Sequence, residues 1–131
     1  MKKILLVEDE SDLINILDLV ISGEGFEVTQ MGSAEEALQY CKTTTPDLII
    51  SDIKMGAMDG LTMFETIRTI PAFTHVPFIV ISAVSDAQWV TKAKSLGAAE
   101  YFTKPFDVDE VVKAIKRILT PAGKAEHAAK V

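Results

Sequence analysis

Residues 47–52 have the sequence Asp47-Leu48-Ile49-Ile50-Ser51-Asp52, and this stretch decides the predicted fold class. Three large apolar residues lie between turn-forming residues, with Pro46 before them and Gly56 and Gly60 after them. This pattern is typical of a strand that is buried on both faces, as in a parallel sheet. Ligands of open parallel sheets bind at the carboxyl ends of the strands. The sequence therefore predicts that chemistry takes place at Asp52.

Four further short segments have strand character, and each of the five predicted strands is followed by a helical pattern. The strands are predicted at 4–7, 26–29, 47–52, 76–81 and 100–103. Strands that alternate with helices of this length pair in parallel through right-handed crossovers. The predicted fold is α/β: a three-layer, doubly wound (βα)5 parallel sheet.

The helices are predicted from apolar stripes and from capping residues. The first stripe consists of Leu13, Ile16, Leu17, Val20 and Ile21, with Ser11 or Asp12 as the cap. Capping boxes are predicted at Ser33/Glu36, Ser85/Gln88 and Asp107/Glu110. The fourth helix has the weakest apolar face, on which Trp89 is interpreted mainly as a cover of the core and otherwise as an exposed anchor for a partner.

Composition and charge limit the possible functions. The chain has 131 residues, 48% hydrophobic and 24% charged, which fits one soluble domain. A net charge of −6 argues against direct binding of nucleic acid. The single cysteine, Cys41, excludes an intramolecular disulfide and is expected in the core. No apolar run reaches the length of a membrane span, so we expect no membrane association and a cytoplasmic location.

A change in pattern near Thr120 marks the predicted domain boundary. Residues 1–120 carry the alternating strands and helices, whereas residues 121–131 begin with Pro-Ala-Gly-Lys and show no periodic apolar face. We therefore predict a domain over 1–120 and a linker stub or flexible tail over 121–131.

Polar residues end the predicted strands: Glu8 and Asp9 after the first, Asp52 at the third, Ser82 at the fourth and Lys104 after the fifth. Each residue alone would usually be a solvated acid, a strand-end hydroxyl or a surface lysine. Together, clustered carboxylates favour a shared cation, and oxygen ligands suit Mg²⁺. A hydroxyl and an ammonium supply donors to an anion. The set favours phosphoryl transfer with a carboxylate nucleophile that forms an aspartyl phosphate.

The motifs that contain these residues resemble the receiver domain of response regulators, the CheY-like phosphoacceptors of two-component signalling. They follow in family order over roughly residues 2–119, and together they are specific although each alone is weak. The matching stretches are Ile4-Leu5-Leu6-Val7-Glu8-Asp9-Glu10, 47–52 with Met58-Asp59-Gly60, Pro77-Phe78-Ile79-Val80-Ile81-Ser82-Ala83, and Gly97-Ala98 with Tyr101-Phe102-Thr103-Lys104-Pro105-Phe106.

The resemblance implies a flavodoxin-like strand order 2-1-3-4-5 and a set of site roles. Asp52 would accept phosphate from the phosphohistidine of a sensor histidine kinase or a histidine phosphotransfer protein. Asp9, Asp52 and the backbone carbonyl of Lys54 would bind Mg²⁺ directly, and Glu8 would bind it through a water. Lys104 would pair with the phosphoryl oxygens.

The resemblance also implies a switch. Ser82 would swing its hydroxyl to the phosphate, Tyr101 would turn inward, and Pro105 would follow a cis peptide bond. The signal would pass through the face formed by the fourth helix, the fifth strand and the fifth helix to an unknown output domain or partner protein. The same face could form a homodimer. The domain would not be an enzyme, because it assists only its own phosphorylation and dephosphorylation.

Some positions depart from the commonest family pattern. Gly56 stands where many relatives have proline, which should loosen the loop. Ser82 replaces the more frequent threonine. The small Ala83 should leave the phosphoryl group accessible to water, and Lys54 and Val84 occupy positions that tune how fast it is lost.

Three alternatives remain at this point. A degenerate receiver would bind partners without phosphorylation, but it would be expected to lack Asp52 or Lys104. A phosphatase of the haloacid-dehalogenase kind needs an acid where this chain has Lys54. A nucleotide- or flavin-binding domain would need a glycine-rich loop after the first strand, where this chain has three acids.

Overall fold

The computed structural model describes residues 1–120, so the predicted tail at 121–131 lies outside the described residues. Within this range five strands alternate with five α-helices. The strands are β1 (Lys3–Val7), β2 (Glu27–Met31), β3 (Leu48–Ser51), β4 (Phe78–Ser82) and β5 (Glu100–Thr103). The helices are α1 (Ser11–Gly23), α2 (Ala34–Cys41), α3 (Gly60–Arg68), α4 (Ala87–Ser95) and α5 (Val108–Leu119), with a short 3-10 turn at Pro71–Phe73.

All strand pairs of the sheet are parallel, and their order is β2-β1-β3-β4-β5. The predicted doubly wound sheet and its strand order are confirmed. The register places Val7 opposite Ser51 and Ser82 opposite Thr103. The carboxyl ends of β1, β3, β4 and β5 therefore meet at one edge of the sheet, which we call the carboxyl edge.

Helices cover both faces of the sheet, which confirms the three layers. Alternate strand residues point to opposite sides: Ile4 and Leu6 pack with α1 and α5, whereas Leu5 and Val7 pack with α2, α3 and α4. Because both faces are buried, the inner strands are continuously apolar. Cys41 is buried on the α2 side, as predicted.

The bounds of β2 and β4 differ from the prediction by up to two residues, and those of β1 and β3 by one. β4 begins at Phe78 instead of Val76, because the Val76 amide donates to the Phe73 carbonyl (3.3 Å) in the preceding turn and Pro77 has no N–H. β2 runs from Glu27 to Met31 and not over 26–29, since its register with β1 starts at the Lys3–Glu27 pair.

The predicted apolar stripe of α1 is partly wrong. Ile16 is 52% exposed, whereas Ile14, outside the predicted stripe, is 5% exposed and faces the core with Leu17 and Ile21. Because apolar residues are adjacent in this helix, two different faces, offset by about one residue, could point to the core. Contact with the sheet selects the phase that contains Ile14.

The predicted caps of α1 and α4 are also wrong. The Glu10 carbonyl accepts from the Ile14 amide (3.0 Å), so Ser11 is already helical and Glu10 is the N-cap. The N-cap of α4 is Asp86, whose carbonyl accepts from the Trp89 amide (3.0 Å). Neither N-cap makes a side-chain capping bond within the described residues.

The other two predicted caps hold at the capping residue. Ser33 Oγ accepts from the Glu36 amide (3.1 Å), but the Glu36 carboxylate accepts from the Gly32 amide (2.9 Å) and not from Ser33. Asp107 caps α5 by accepting from the Asp109 amide (2.9 Å) instead of from Glu110. Each capping residue is right, and the reciprocal partner differs.

None of the helices within residues 1–120 combines the length and the apolar character that crossing a bilayer requires.

Candidate functional site

The carboxyl edge of the sheet brings the sequence-predicted polar residues together. Glu8 and Asp9 follow β1, Asp52 follows β3, Ser82 ends β4 and Lys104 follows β5. One carboxylate oxygen from each of the three acids lies within 4.8 Å of the others. The parallel register therefore assembles a compact acidic cluster with Lys104 beside it.

Lys104 is the cation of the site. Its Nζ lies 2.8 Å from Asp52 Oδ2 and 3.0 Å from Glu8 Oε1. Burial opposes the charge of Lys104, but its hydrogen bonds to Asp52 and Glu8 outweigh that effect and raise the pKa of the ammonium above its ordinary value. Lys104 is therefore charged at neutral pH and holds two carboxylates in place.

Glu8 is buried, which is unusual for a glutamate. Burial raises the pKa of its carboxyl group above the ordinary value, and repulsion from Asp52 acts in the same direction. Hydrogen bonds from Lys104 and from the Glu10 amide (3.1 Å) act in the opposite direction. Both carboxylate oxygens thus have partners, which fix the orientation of the side chain.

Asp52 is held on both sides of its carboxylate. Oδ2 accepts from Lys104, and Oδ1 accepts from the Ile53 amide at 2.6 Å. The Asp52 amide donates to the Val7 carbonyl at 3.1 Å, which anchors the residue to β1. The predicted central residue is therefore buried, oriented and reachable from the acidic cluster.

Gly60 and Ser51 support Asp52, and sequence reasoning missed both roles. A Cβ at Gly60 would lie 2.0 Å from the Asp52 carbonyl oxygen, so only glycine lets the start of α3 approach so closely. Ser51 Oγ donates to the same carbonyl at 2.7 Å. The available signal was a glycine directly after the capping residue Asp59.

The donor set of the acidic cluster fits a hard divalent cation. Glu8 and Asp52 are buried and Asp9 is exposed, so a cation could enter from the Asp9 side. Lys104 provides one positive charge against three carboxylates, and their remaining repulsion would be relieved by a further cation. Carboxylate oxygens are the ligands that Mg²⁺ prefers. Lys54, the fourth predicted ligand, follows Asp52 in the same loop.

Ser82 and Tyr101 meet at the backbone of Val84. The Ser82 side chain is fully buried, and its Oγ accepts from the Val84 amide at 3.1 Å. The Tyr101 hydroxyl donates to the Val84 carbonyl. Burial raises the pKa of Tyr101, and a hydrogen bond with Ser82 lowers it in part. The two predicted switch residues thus hold the same loop between β4 and α4.

The loop after Asp52 is anchored in the core and turns at Gly56. Ile53 and Met55 are buried, whereas Lys54 and Gly56 are exposed. Gly56 has φ +48°, a left-handed conformation that proline, with φ near −65°, cannot adopt. The glycine at this position therefore allows a turn that the commoner residue would prevent.

Trp89 packs on the core with its neighbours on α4, as its favoured interpretation predicted. It also makes a contact that sequence reasoning missed: the Lys54 Nζ lies 4.8 Å from the centroid of the Trp89 ring. Trp89 therefore connects α4 to the loop that carries Asp52. The Lys104–Pro105 peptide bond is cis, as the resemblance implied.

Comparison with known proteins identifies one family. The family model described as "Response regulator receiver domain" matches residues 4–116. Sporulation initiation phosphotransferase F of Bacillus subtilis is 31% identical over 118 residues, which cover 90% of this chain and 94% of that protein. The DNA-binding transcriptional regulator NtrC of Klebsiella pneumoniae is 35% identical over 115 residues, covering 88% of this chain.

The match covers different shares of these relatives. The chain spans about a quarter of the length of NtrC (24%), but nearly all of the sporulation phosphotransferase. Among solved structures, a putative response regulator from Chloroflexus aurantiacus has a TM-score of 0.84 at 33% identity, over 90% of this chain and 97% of that one. The non-phosphorylated HemR receiver domain of Leptospira biflexa has a TM-score of 0.85 at 27% identity, over 92% and 95%.

Proposed function

This chain belongs to the response regulator receiver domain family of two-component signalling, and from that premise we propose that Asp52 is its phosphoacceptor. The donor is the phosphohistidine of a sensor histidine kinase or of a histidine phosphotransfer protein. An Asp52 carboxylate oxygen attacks phosphorus, the P–N bond breaks, and the imidazole leaves with the electron pair. The product is an aspartyl phosphate.

The observation that carries this proposal is the Asp52–Lys104 pair. The 2.8 Å contact places an ammonium beside the carboxylate oxygen that would receive the phosphoryl group. Phosphoryl transfer depends mainly on positioning and on neutralisation of charge. Lys104 can follow the transferred group by exchanging a carboxylate oxygen for a phosphoryl oxygen as its acceptor.

The acidic cluster is proposed as a Mg²⁺ site. Asp9, Asp52 and the Lys54 carbonyl would bind the ion directly, and Glu8 would bind it through a water. When bound, Mg²⁺ supplies positive charge that offsets the charge of the incoming phosphoryl oxygens. The protein residues orient Asp52, hold Lys104 and keep the carboxylates apart.

Ser82 and Tyr101 are proposed as the switch. Ser82 Oγ would donate to the phosphoryl group. In moving there, Ser82 Oγ would give up the hydrogen bond that it now accepts from the Val84 amide. The loop would then move, and Tyr101 would follow inward because its hydroxyl is bonded to the Val84 carbonyl. The signal would spread over the α4–β5–α5 face to an output domain or a partner protein, and that face could also form a homodimer.

The wider context is part of the same proposal. Residues 1–120 would be the receiver domain, and 121–131 a linker stub or tail. The domain would act on no molecule other than its own Asp52, in the cytoplasm, and would contact neither nucleic acid nor membrane itself.

Intact mass measures the proposed reaction directly. The chain is incubated with acetyl phosphate, with and without Mg²⁺, alongside the variants Asp52→Asn and Asp109→Asn. We expect a gain of about 80 Da for one acyl phosphate in the unsubstituted chain and in Asp109→Asn, dependent on Mg²⁺, and none in Asp52→Asn. Asp109 is an exposed acid of α5 and serves as the matched control.

Two outcomes would contradict the proposal. An adduct that persists in Asp52→Asn would place the phosphoryl group elsewhere. The absence of any adduct would favour a receiver that binds its partners without phosphorylation.

A further inference from the structure

The Lys54 side chain contacts Trp89 between two segments that flank the site. Lys54 lies in the loop between Asp52 and α3, and Trp89 lies in the first turn of α4, directly after the loop that carries Val84. The Nζ of Lys54 is 4.8 Å from the ring centroid, within the range of a cation–π contact. One side-chain contact therefore joins the acceptor loop to the first helix of the proposed signalling face.

We infer that Trp89 is a positioning residue: its indole holds the Lys54 ammonium on α4, away from the phosphoryl group, and so sets the lifetime of the aspartyl phosphate. The inference rests on the proposed phosphoacceptor function of Asp52. In this way α4 would influence the rate at which the phosphoryl group is lost, in addition to responding to the phosphoryl group itself.

The two partners differ in freedom, which decides which one positions the other. Trp89 is half-buried and packs against the core cluster beneath α2, α3 and α4. Lys54 is exposed, and within residues 1–120 its ammonium makes no ion pair with a carboxylate. The indole, which packs on the core, is therefore the partner that positions the exposed lysine side chain.

Removal of the indole would change what Lys54 contacts. A phosphoryl group on Asp52 replaces the single carboxylate charge by up to about two negative charges on the phosphoryl oxygens, at a position two residues from Lys54. An ammonium released from the ring would pair with phosphoryl oxygens through charge-assisted hydrogen bonds. Its long side chain would then cover the phosphorus on the side that the small, exposed Ala83 leaves open to water. The aspartyl phosphate would be lost more slowly.

The test is a double-mutant cycle on the rate of phosphoryl loss. The unsubstituted chain, Trp89→Leu, Lys54→Met and the double variant are labelled with radioactive acetyl phosphate and Mg²⁺, the donor is removed, and first-order loss is followed. We expect Trp89→Leu to slow the loss by at least about threefold, and to have no effect in the Lys54→Met background. Trp89→Phe keeps an aromatic face and should retain a rate near that of the unsubstituted chain.

Lys92 provides a matched control on the same helix. It pairs with Glu65 at 3.0 Å and is about half exposed, so Lys92→Met removes a charge from α4 without removing the contact to Trp89. In that background Trp89→Leu should still slow the loss. Trp89 is the only tryptophan, so its fluorescence emission should change in unphosphorylated Lys54→Met and stay unchanged in Lys92→Met.

Three results would overturn the inference. The first is that Trp89→Leu changes the rate of phosphoryl loss equally with and without the Lys54 side chain, as a purely structural role in the core would do. The second is that Trp89→Leu does not slow the loss. The third is that the fluorescence emission of Trp89 is unchanged in Lys54→Met. Failure of the proposed function is distinguishable from failure of the inference, because the unsubstituted chain itself would then take up no label. In that case the inference, which rests on the proposed function, would fail as well.

Discussion

Gly60 controls how closely α3 approaches Asp52. The Gly60 amide donates to the Ile53 carbonyl at 2.7 Å, and the missing side chain leaves room for the Asp52 carbonyl. In Gly60→Ala the new Cβ would meet backbone at 2.0 Å, so α3 or the Asp52 loop must move. We expect a loss of about 1–3 kcal/mol in the free energy of unfolding, measured with urea, together with slower phosphorylation.

Gly23 provides the comparison for Gly60. A Cβ at Gly23 would have no atom within 4 Å, and the residue lies at the end of α1. Gly23→Ala should be neutral or stabilising by up to about 1 kcal/mol, because alanine favours the helix. An equal loss of stability in the two variants would contradict the steric role of Gly60.

Cys41 makes stability depend on pH in the alkaline range. Burial raises the pKa of its thiol from 9.0 to about 11. Between these values the unfolded chain loses the thiol proton and the folded chain keeps it, so stability falls as pH rises. The thiol should contribute a loss of up to about 2–3 kcal/mol between about pH 8 and about pH 11, measured by urea unfolding. Cys41→Ala should show a smaller fall, and equal slopes would contradict the prediction.

At this scale the strand-end residues could be predicted and their supports could not. Glu8, Asp52, Ser82 and Lys104 were found because a parallel sheet gathers strand ends at one edge. The role of Gly60 and the Lys54–Trp89 contact depend on how closely separate elements approach in space. The spacing of residues along the sequence does not predict how closely two separate elements approach.

Arg68, the last residue of α3, joins three elements. Its guanidinium donates to the carbonyls of Phe73 and Val76, both at 2.7 Å, and its Nε donates to the Leu96 carbonyl at the end of α4 (3.4 Å). The guanidinium also stacks over the Phe64 ring at 4.5 Å. Burial lowers its pKa from the ordinary value, yet an arginine remains charged at neutral pH.

Arg68→Met should loosen the ends of α3 and α4. The carbonyls of Phe73 and Val76 are part-buried and would lose their hydrogen-bond donor. We therefore expect a loss of about 2–4 kcal/mol in the free energy of unfolding. Amide hydrogen exchange should increase most around Phe73–Val76 and at the end of α4. Arg117→Met is the control, because the Arg117–Glu100 pair is exposed and should contribute less than about 1 kcal/mol. Exchange that increases equally across the sheet would contradict a local role for Arg68.

The presence and the order of the strands and helices could be predicted from the sequence. The face that each helix turns to the core was harder to predict. The start of α5 was predicted correctly from Asp107, whereas α1 has apolar residues on more than one face and its phase was missed at Ile16. The caps show the same limit. Ser33 and Asp107 were identified by residue type. The N-cap of α4 is Asp86 and not its neighbour Ser85, and residue type alone does not distinguish these two favourable capping residues.

Across the whole molecule, the proposed Mg²⁺ site would link stability to metal binding. Glu8, Asp9 and Asp52 face one ammonium from Lys104, and the chain as a whole carries a net charge of −6. A cation that binds only the folded state stabilises it by an amount that grows with its concentration. At ten times its dissociation constant, Mg²⁺ should add about 1.4 kcal/mol to the free energy of unfolding, and EDTA should remove this gain.

Asp9 separates specific binding from general screening of charge. It is the exposed member of the cluster and forms no ion pair within residues 1–120. Asp9→Asn should therefore leave the metal-free protein as stable as before or slightly more stable, because one repulsive charge is gone, while the Mg²⁺-dependent gain is lost. Thermal unfolding of both proteins in Mg²⁺ and in NaCl of equal ionic strength measures the difference. An equal rise of the melting temperature in the two salts, or in Asp9→Asn, would mean that Mg²⁺ acts by screening.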